Sequence, residues 1–215
     1  IQIFELIGKF ITIDEKNILS STGALSLSKV PDHLVVIGGG YIGLEMGSVW
    51  SRLGSKVTVI EYLDFITPGM DREISNEFQK ILSKQGISFK LSSKVTSVSN
   101  SKDKVVVNYT ENKTKKNEII DCDKVLVSVG RKPYTDGLNL SKIGVKKDKS
   151  GRIEVNDKLQ TSLNHIYAIG DVIKGPMLAH KAEEEGIAVA ENIAGQSGHV
   201  NYDIIPGVIY TTPEV

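Results

Sequence analysis

The first part of the chain alternates between short apolar runs and longer amphipathic stretches. The β-branched runs HLVVIG, KVTVIE and ISFKL predict three buried strands. Between them, YIGLEMGSVWSRLG predicts a helix that ends at Gly54. The stretch MDREISNEFQKILSKQG predicts an amphipathic helix whose apolar face carries Ile74, Phe78, Ile81 and Leu82. Strands that alternate with helices favour a parallel sheet joined by right-handed crossovers.

The middle of the chain follows a different pattern. KVTSVSN and KVVVNYT alternate polar and apolar positions, and EIIDCD follows a charged turn, so these stretches predict an antiparallel meander. KVLVSVG, from Lys124 to Gly130, and HIYAIGDV predict two more strands. AHKAEEEGIAVAENIAG predicts a last helix, with the apolar candidates Ala182, Ile187, Val189, Ala190 and Ile193.

The chemistry with the most specific pattern lies in VVIGGGYIGLE. Gly38 allows a tight turn out of the strand, Gly40 lets a pyrophosphate approach the backbone, and Gly43 lets the helix pack close to the sheet. The N-terminus of the following helix then offers N–H groups and a positive dipole end to phosphates. The alternative is a purely structural glycine turn, and the position between a strand and a helix favours the dinucleotide interpretation.

An acid at the end of the next strand extends this interpretation. Glu61 lies about 20 residues beyond the glycine turn, the spacing expected for a carboxylate that binds both ribose hydroxyls. A carboxylate there repels a 2′-phosphate, and Tyr62 and Leu63 supply no arginine to bind one. The sequence therefore predicts NAD rather than NADP as the cofactor. The alternative for Glu61 is a solvated acid at a strand end that binds no cofactor.

Composition excludes several other classes of function. The 215 residues carry 26 basic and 26 acidic side chains, which gives no reason to expect nucleic acid or an anionic membrane as a partner. No apolar run approaches the ~20 residues of a membrane span. Cys122 is the one cysteine, so an internal disulfide is impossible. The chain starts at Ile1 without a visible signal or transit peptide and stops at TTPEV, so we expect a piece of a longer protein.

Three ordered stretches carry a resemblance to a known family. With VVIGGGYIGLEMGSVWSRLGSKVTVIE, VLVSVGRKP and IYAIGDVIKGPMLAHKAEEEGIAVAE, nearly the whole chain resembles the pyridine-nucleotide disulfide oxidoreductases, most of all the branch that oxidises dihydrolipoamide. The resemblance implies an α/β fold in which a Rossmann-like NAD-binding domain, with a parallel sheet and an antiparallel meander, is inserted into a Rossmann-like FAD-binding domain. It assigns 1–133 to a linker and the NAD domain, 134–201 to the returning part of the FAD domain, and 202–215 to the start of a dimerisation domain.

The resemblance also implies cofactor contacts. For NAD they are Gly38, Gly39, Gly40, Tyr41, Ile42, Gly43, Leu44, Glu45, Glu61, Val95 and Gly130. Within this set, Tyr41 or Ile42 would shield the flavin, and Glu45 matches an acid beside the flavin. The alternative for Tyr41 and Ile42 is simple packing, and the alternative for Glu45 is an acid that the helix dipole favours.

For FAD the implied contacts are Asp171, Met177, Leu178, Ala179 and His180. Asp171 would accept hydrogen bonds from the ribityl chain, and the helix that starts near MLAH would favour negative charge on reduced flavin. A helix-capping aspartate and an ordinary histidine are the alternatives. Arg131 could form an ion pair at a domain interface or contact a ligand.

The family's redox chemistry needs groups that this chain does not contain. A cysteine pair exchanges electrons with dihydrolipoamide, and a histidine oriented by a glutamate acts as the base. We expect the cysteine pair before residue 1 and the histidine–glutamate pair after residue 215, so no catalytic residue and no metal ligand is assigned here. Cys122 in a strand-like stretch is predicted to be structural.

Three hypotheses remain open from the sequence. The chain could be the central part of an enzyme that oxidises dihydrolipoamide with NAD+ through FAD, part of a related flavoprotein such as an NADH oxidase or a mercuric or glutathione reductase, or a free-standing NAD-binding module. The first implies a homodimer, dihydrolipoamide on an acyltransferase subunit of a 2-oxo-acid dehydrogenase complex as the partner, and a bacterial cytoplasm or mitochondrial matrix as the compartment.

Overall fold

The computed structural model describes residues 11–215, in which the chain divides into two compact units. The first unit runs to Gly130 and also includes Val208–Val215, and the second unit is Arg131–Gly207. The predicted domain boundary at 133 lies near this division, while residues 1–10 of the predicted NAD domain lie outside the described residues. The assignment of the three domains stays a prediction.

In the described part of the chain, the first unit is built on a parallel sheet of five strands: β1 (Ile18–Leu19), β2 (His33–Ile37), β3 (Lys56–Ile60), β4 (Ser88–Lys90) and β8 (Lys124–Val127). Their order in the sheet is β1-β8-β2-β3-β4. The helices of the unit are α1 (Ser21–Leu25), α2 (Tyr41–Arg52) and α3 (Arg72–Lys84). The predicted strand–helix alternation and parallel sheet are thereby confirmed.

A second, three-stranded antiparallel sheet contains the predicted meander. It consists of β5 (Ser93–Ser101), β6 (Lys104–Glu111) and β7 (Asn117–Cys122), in that order. Alternate residues of β2 face different neighbours: Leu34 and Val36 pack with the helices, whereas Val35 and Ile37 pack with meander residues such as Val107. The parallel sheet is therefore buried on both faces, which explains its continuous apolar strands.

The second unit contains little regular structure before its long helix. It has the short helix α4 (Leu140–Ile143), a 3-10 turn at Gly170–Val172, the helix α5 (Ala179–Ile193) and a 3-10 turn at Tyr202–Ile204. Its core is a separate cluster around Val145, Ile153 and Ile173. Among the described residues, no helix is long and apolar enough to cross a membrane.

The predicted strand in HIYAIGDV is wrong. In this stretch the backbone forms one isolated bridge, between Tyr167 and Gln160, and then enters the 3-10 turn. A strand needs a neighbouring strand to receive its hydrogen bonds. The apolar run predicted burial only in part, because Ala168 is 8% exposed but Ile169 is 38% exposed, and it did not predict the backbone conformation.

Two predicted apolar helix faces need correction. In α3, Phe78 and Leu82 are buried as predicted, but Ile74 is 48% exposed and the polar Ser75 is buried in its place. In α5 the difference is larger, because Ile187 and Ile193 are exposed. The buried residues of α5 are Lys181, Glu185 and Ala188.

Candidate cofactor-binding sites

The glycine turn between β2 and α2 is tightly packed on its inner side. Gly38 has a φ of +108°, and its N–H donates to the carbonyl of Ile60 over 2.9 Å. A Cβ at Gly38 would lie 2.5 Å from the carbonyl oxygen of Ser128, and a Cβ at Gly43 would lie 2.3 Å from the carbonyl oxygen of Gly38. Because these obstacles are backbone atoms, neither position has room for a side chain.

The outer side of the same turn is open. Among the described residues, a Cβ at Gly40 would meet no atom within 4 Å. Gly40 is the N-cap of α2 and makes no side-chain cap hydrogen bond, and the first turn of the helix carries no acidic residue. The backbone N–H groups and the positive end of the helix dipole therefore face open space, and this arrangement fits a diphosphate.

The position in the sheet supports the same fit. Strand β2 has β3 on one side and β8 on the other, and all three run parallel. The residues Gly38, Glu61 and Gly130 therefore follow the carboxyl ends of adjacent strands. In open α/β sheets, ligands bind at this edge, where the strand order reverses. Gly130 has a φ of +129°, a backbone conformation that favours glycine.

Glu61 is 9% exposed and is part of the turn itself. One of its carboxylate oxygens accepts a hydrogen bond from the N–H of Gly39 over 2.7 Å, and the other accepts from the N–H of Leu63 over 2.8 Å. A carboxylate offers about four lone-pair directions, so both oxygens keep capacity for further donors such as ribose hydroxyls. The solvated-acid alternative does not describe this residue, because the carboxylate holds the glycine turn in place.

Two further residues support the turn and were missed by the sequence reasoning. The N–H of Thr67, which has a φ of +53°, donates to the carbonyl of Gly39 over 2.8 Å. The hydroxyl groups of Thr67 and Ser75 lie 2.7 Å apart, and both residues are buried. Gly39 is thus held at its N–H by Glu61 and at its carbonyl by Thr67. A serine within the buried face of α3 was the available sequence signal.

The predicted contacts at the start of α2 occupy different environments. Tyr41 and Ile42 are partly buried against the core, and Leu44 is fully buried within it. The side chain of Leu44 therefore packs in the protein core, and Tyr41 and Ile42 have the partial packing named as their alternative. Glu45 accepts a hydrogen bond from the N–H of Tyr210 over 2.9 Å. This contact attaches Val208–Val215 to the first unit.

The structure places Val95 on the second sheet rather than at the carboxyl edge of the first. Val95 is partly buried in β5, next to a register shift between Val95 and Ser97. The start of β5 lies beside the glycine turn, because the N–H of Ser93 donates to the carbonyl of Glu61 over 2.9 Å. Val95 therefore lies two residues further along the chain than Ser93, the residue that contacts the Glu61 backbone.

In the second unit, Asp171 lies in the 3-10 turn and forms an ion pair. Arg131 donates to its carboxylate over 3.2 Å and also donates to the carbonyl of Met177. Both side chains are about half exposed, so the ion pair is open to solvent. Arg131 thus forms an ion pair with a residue of its own unit, and its contact with a ligand stays a prediction.

The MLAH stretch leads into α5. Helix α5 begins at Ala179, its N-cap is Leu178 without a side-chain cap, and the first turn has no acidic residue. This end of the helix therefore also offers N–H groups and a positive dipole to a negatively charged ligand. The imidazole Nε2 of His180 donates to the carbonyl of Pro206 over 2.8 Å, so the side chain is engaged within the protein.

Cys122 has the environment of a structural cysteine. It is 3% exposed, and its thiol donates to the carbonyl of Val105 over 3.6 Å. Burial raises the pKa of the Cys122 thiol to about 12, which disfavours the reactive thiolate. Within residues 11–215, no group of three or more histidine, cysteine, aspartate and glutamate side chains could hold a metal ion.

Known proteins resemble the chain closely in sequence. The family described as pyridine nucleotide-disulphide oxidoreductase matches residues 4–186. The chain is 59% identical to a mitochondrial dihydrolipoyl dehydrogenase of Pisum sativum, over 95% of this chain and 41% of the relative. It is 58% identical to a leghemoglobin reductase of Glycine max and 54% identical to a mitochondrial dihydrolipoyl dehydrogenase of Bos taurus. The chain spans less than half the length of these relatives.

Solved structures agree with this similarity. The HOCl-induced flavoprotein disulfide reductase RclA of Escherichia coli matches 92% of this chain with 45% of its own, at 30% identity and a TM-score of 0.83. LpdA of Mycobacterium tuberculosis matches 94% of this chain with 43% of its own, at 25% identity and a TM-score of 0.85. By its fold, its glycine turn and these similarities, the chain belongs to the pyridine nucleotide-disulphide oxidoreductase family, whose members are oxidoreductases that use FAD and NAD.

Proposed function

We propose that the chain is the NAD-binding part, and one portion of the FAD-binding part, of an enzyme that oxidises dihydrolipoamide to lipoamide with NAD+ as the electron acceptor. The asymmetric glycine turn carries the NAD-binding part of the proposal, and the 59% identity to the dihydrolipoyl dehydrogenase of Pisum sativum supports the reaction. Side chains are impossible at Gly38 and Gly43, while Gly40 faces open space at the N-terminus of α2. This turn lies at the edge of the sheet where dinucleotides bind.

In this proposal the first unit binds NAD. The N–H groups at the start of α2 bind the pyrophosphate, and Glu61 accepts hydrogen bonds from the adenosine ribose while it also holds the N–H of Gly39. The buried carboxylate excludes a ribose 2′-phosphate by charge repulsion, which favours NAD over NADP. Tyr41, Ile42, Val95 and Gly130 complete the pocket.

The second unit contributes to the FAD site. Asp171 would accept hydrogen bonds from the ribityl chain, and the N–H groups at the start of α5, preceded by Met177 and Leu178, would interact with the flavin. Arg131 keeps the Asp171 carboxylate in place and leaves its other lone pairs available. When bound, FAD supplies the two-electron carrier between the dithiol substrate and NAD+.

The chain's own residues bind and orient the cofactors and take no direct part in thiol chemistry. Its one cysteine is buried, so the disulfide that reacts with dihydrolipoamide has to come from a part of the protein outside these 215 residues. The histidine–glutamate base is also placed outside them. The isolated chain is therefore expected to bind NADH without oxidising dihydrolipoamide.

The remaining parts of the proposal concern the intact protein. We infer a homodimer that acts on dihydrolipoamide carried by an acyltransferase subunit of a 2-oxo-acid dehydrogenase complex. The names of relatives from plants, yeast and cattle support the mitochondrial matrix as the compartment. The division of the chain at Gly130 supports an NAD domain that ends near 133, followed by FAD-domain residues up to 201.

The first experiment is a visible spectrum, a mass determination and a turnover assay on the native protein. We expect flavin absorption, a mass well above the 23.5 kDa of this chain, and reduction of NAD+ that depends on dihydrolipoamide. A yellow protein that oxidises NADH with oxygen but ignores dihydrolipoamide would instead support a related NADH oxidase. A colourless protein of 23.5 kDa that binds NADH would reduce the proposal to an NAD-binding module.

A further inference from the structure

The buried face of α5 contains an ion pair that the proposed function does not use. The ammonium of Lys181 lies 2.9 Å from one carboxylate oxygen of Glu185 and 3.1 Å from the other. Both side chains are 0% exposed. Burying two charges is unfavourable unless further hydrogen bonds satisfy them, and apolar residues of similar volume often stabilise a protein as well or better. The presence of this pair therefore calls for a specific role.

Both members of the pair bind the same residue, Gly170. A carboxylate oxygen of Glu185 accepts a hydrogen bond from the N–H of Gly170 over 2.6 Å. The ammonium of Lys181 donates to the carbonyl of Gly170 over 3.1 Å. Gly170 immediately precedes Asp171, and its carbonyl belongs to the planar peptide that joins the two residues. The two contacts therefore determine the direction in which the backbone enters Asp171.

Lys181 also contacts the loop that leads into α5. A Cβ at Gly175 would lie 2.8 Å from the Cε atom of Lys181, so the lysine stem passes directly against this glycine. On the solvent side, Arg131 connects the same two segments, because it binds both the Asp171 carboxylate and the Met177 carbonyl. The turn and the loop are thus held together by Lys181 from the interior and by Arg131 from the surface.

A third residue completes the buried network. The hydroxyl of Tyr202 donates to a carboxylate oxygen of Glu185 over 2.9 Å. Burial, together with this hydrogen bond, raises the pKa of Tyr202 to about 12, so the phenol remains a donor at neutral pH. Glu185 therefore accepts from Gly170, Lys181 and Tyr202, which satisfies the carboxylate without water.

We propose that Lys181 and Glu185 are positioning residues for the flavin: they hold Gly170 so that Asp171 and the first turn of α5 present their hydrogen-bonding groups in a preformed arrangement. This inference rests on the proposed FAD site. Lys181 supplies a donor and Glu185 an acceptor, so together they satisfy the carbonyl and the N–H of Gly170 in a dry interior.

Two double variants of the full-length protein test the role. Lys181→Met with Glu185→Leu removes both charges and both contacts to Gly170. Lys181→Met with Glu185→Gln also removes both charges but keeps an amide oxygen that can accept from the N–H of Gly170. We expect FAD to bind about tenfold more weakly in the leucine variant, which loses both contacts to Gly170, and about threefold more weakly in the glutamine variant, which loses only the Lys181 contact. FAD affinity is measured by reconstitution of the apoprotein.

Tyr202→Phe is the matched control. It removes one hydrogen bond to Glu185 and leaves the contacts to Gly170 in place, so FAD affinity should not change even if the melting temperature falls. The second readout, amide hydrogen exchange of the apoprotein, does not depend on FAD. The N–H of Gly170 should exchange slowly in the wild type and in the glutamine variant and faster in the leucine variant.

The possible contrary results have different meanings. Wild-type FAD affinity in a folded leucine variant would refute the positioning role, and so would a loss of FAD in Tyr202→Phe that merely follows thermal stability. If the leucine variant does not fold, rapid exchange of the Gly170 amide in the wild type would refute the role without any substitution. A wild-type protein that binds no FAD would refute the proposed function, and this inference with it.

Discussion

Substituting the glycines of α2 and its N-cap one at a time separates packing from cofactor binding. A Cβ at Gly43 would lie 2.3 Å from a backbone oxygen and 2.6 Å from the Ser128 hydroxyl, so Gly43→Ala has to push α2 away from the turn. Overpacking of this kind costs about 1–3 kcal/mol. We expect the free energy of unfolding to fall by about that amount, and NADH binding to weaken as well.

Gly40→Ala should behave differently, because a Cβ there meets nothing within 4 Å of the protein. Gly40 has a φ of −86°, which alanine adopts without strain, so the remaining penalty is the poorer N-cap, below about 1 kcal/mol. The methyl group would occupy the space that the pyrophosphate approaches. We expect NADH to bind at least about tenfold more weakly, which corresponds to about 1.4 kcal/mol.

Gly47→Ala is the control in the same helix. Its nearest neighbour would be a methyl group of Val57 at 3.4 Å, an ordinary contact, and alanine favours a helix interior by about 1 kcal/mol over glycine. For all three variants, unfolding in urea measures the free energy of unfolding and titration with NADH measures the affinity for NADH. If Gly40→Ala binds NADH as tightly as Gly47→Ala does, the turn does not hold the pyrophosphate and the reasoning fails.

Three further predictions concern single side chains. Glu61→Gln should weaken NADH binding about tenfold, because an amide cannot accept hydrogen bonds at both of its terminal atoms. NADPH binding should weaken less, because the neutral amide repels a 2′-phosphate less than the carboxylate does. Equal effects on the two affinities in paired titrations would contradict this prediction. Asp171→Asn should reduce the flavin retained during purification of the full-length protein, measured by absorbance per chain, and retention at the wild-type level would remove its role. Cys122 should react with a thiol reagent at pH 8 only after unfolding, because burial raises its pKa to about 12. Between about pH 9 and pH 12 the native state keeps the thiol proton while the unfolded state loses it. The contribution of Cys122 to the free energy of unfolding therefore falls as the pH rises through this range, and Cys122→Ser should remove that decline.

The sequence predicted the parallel sheet and the meander well because their signals are local. Buried strands such as HLVVI and KVTVI are continuous β-branched runs, and the helices between them end at residues with clear capping preferences. The glycine spacing predicted the turn because Gly38 and Gly43 have no room for a side chain in this fold.

The failures share a physical cause, since each depends on neighbours distant in sequence. HIYAIG is apolar enough for a strand but has only Gln160 to pair with among the described residues. The periodicity of α5 indicated Ile187 and Ile193 as its core, yet the helix turns Lys181 and Glu185 inward. A hydrophobic pattern cannot reveal a buried charge pair, because its favourable energy comes from partners that the pattern does not contain.

The sequence alone determined the fold class, the position of the glycine turn and the position of the acid Glu61 after β3. Each of these depends on residue types at short, regular spacing. Tertiary structure alone decided that Glu61 holds Gly39, that Thr67 and Ser75 support the turn, and that Gly170 is bound by a buried ion pair. Hydrogen bonds are short and directional, so only the folded chain establishes which donor meets which acceptor.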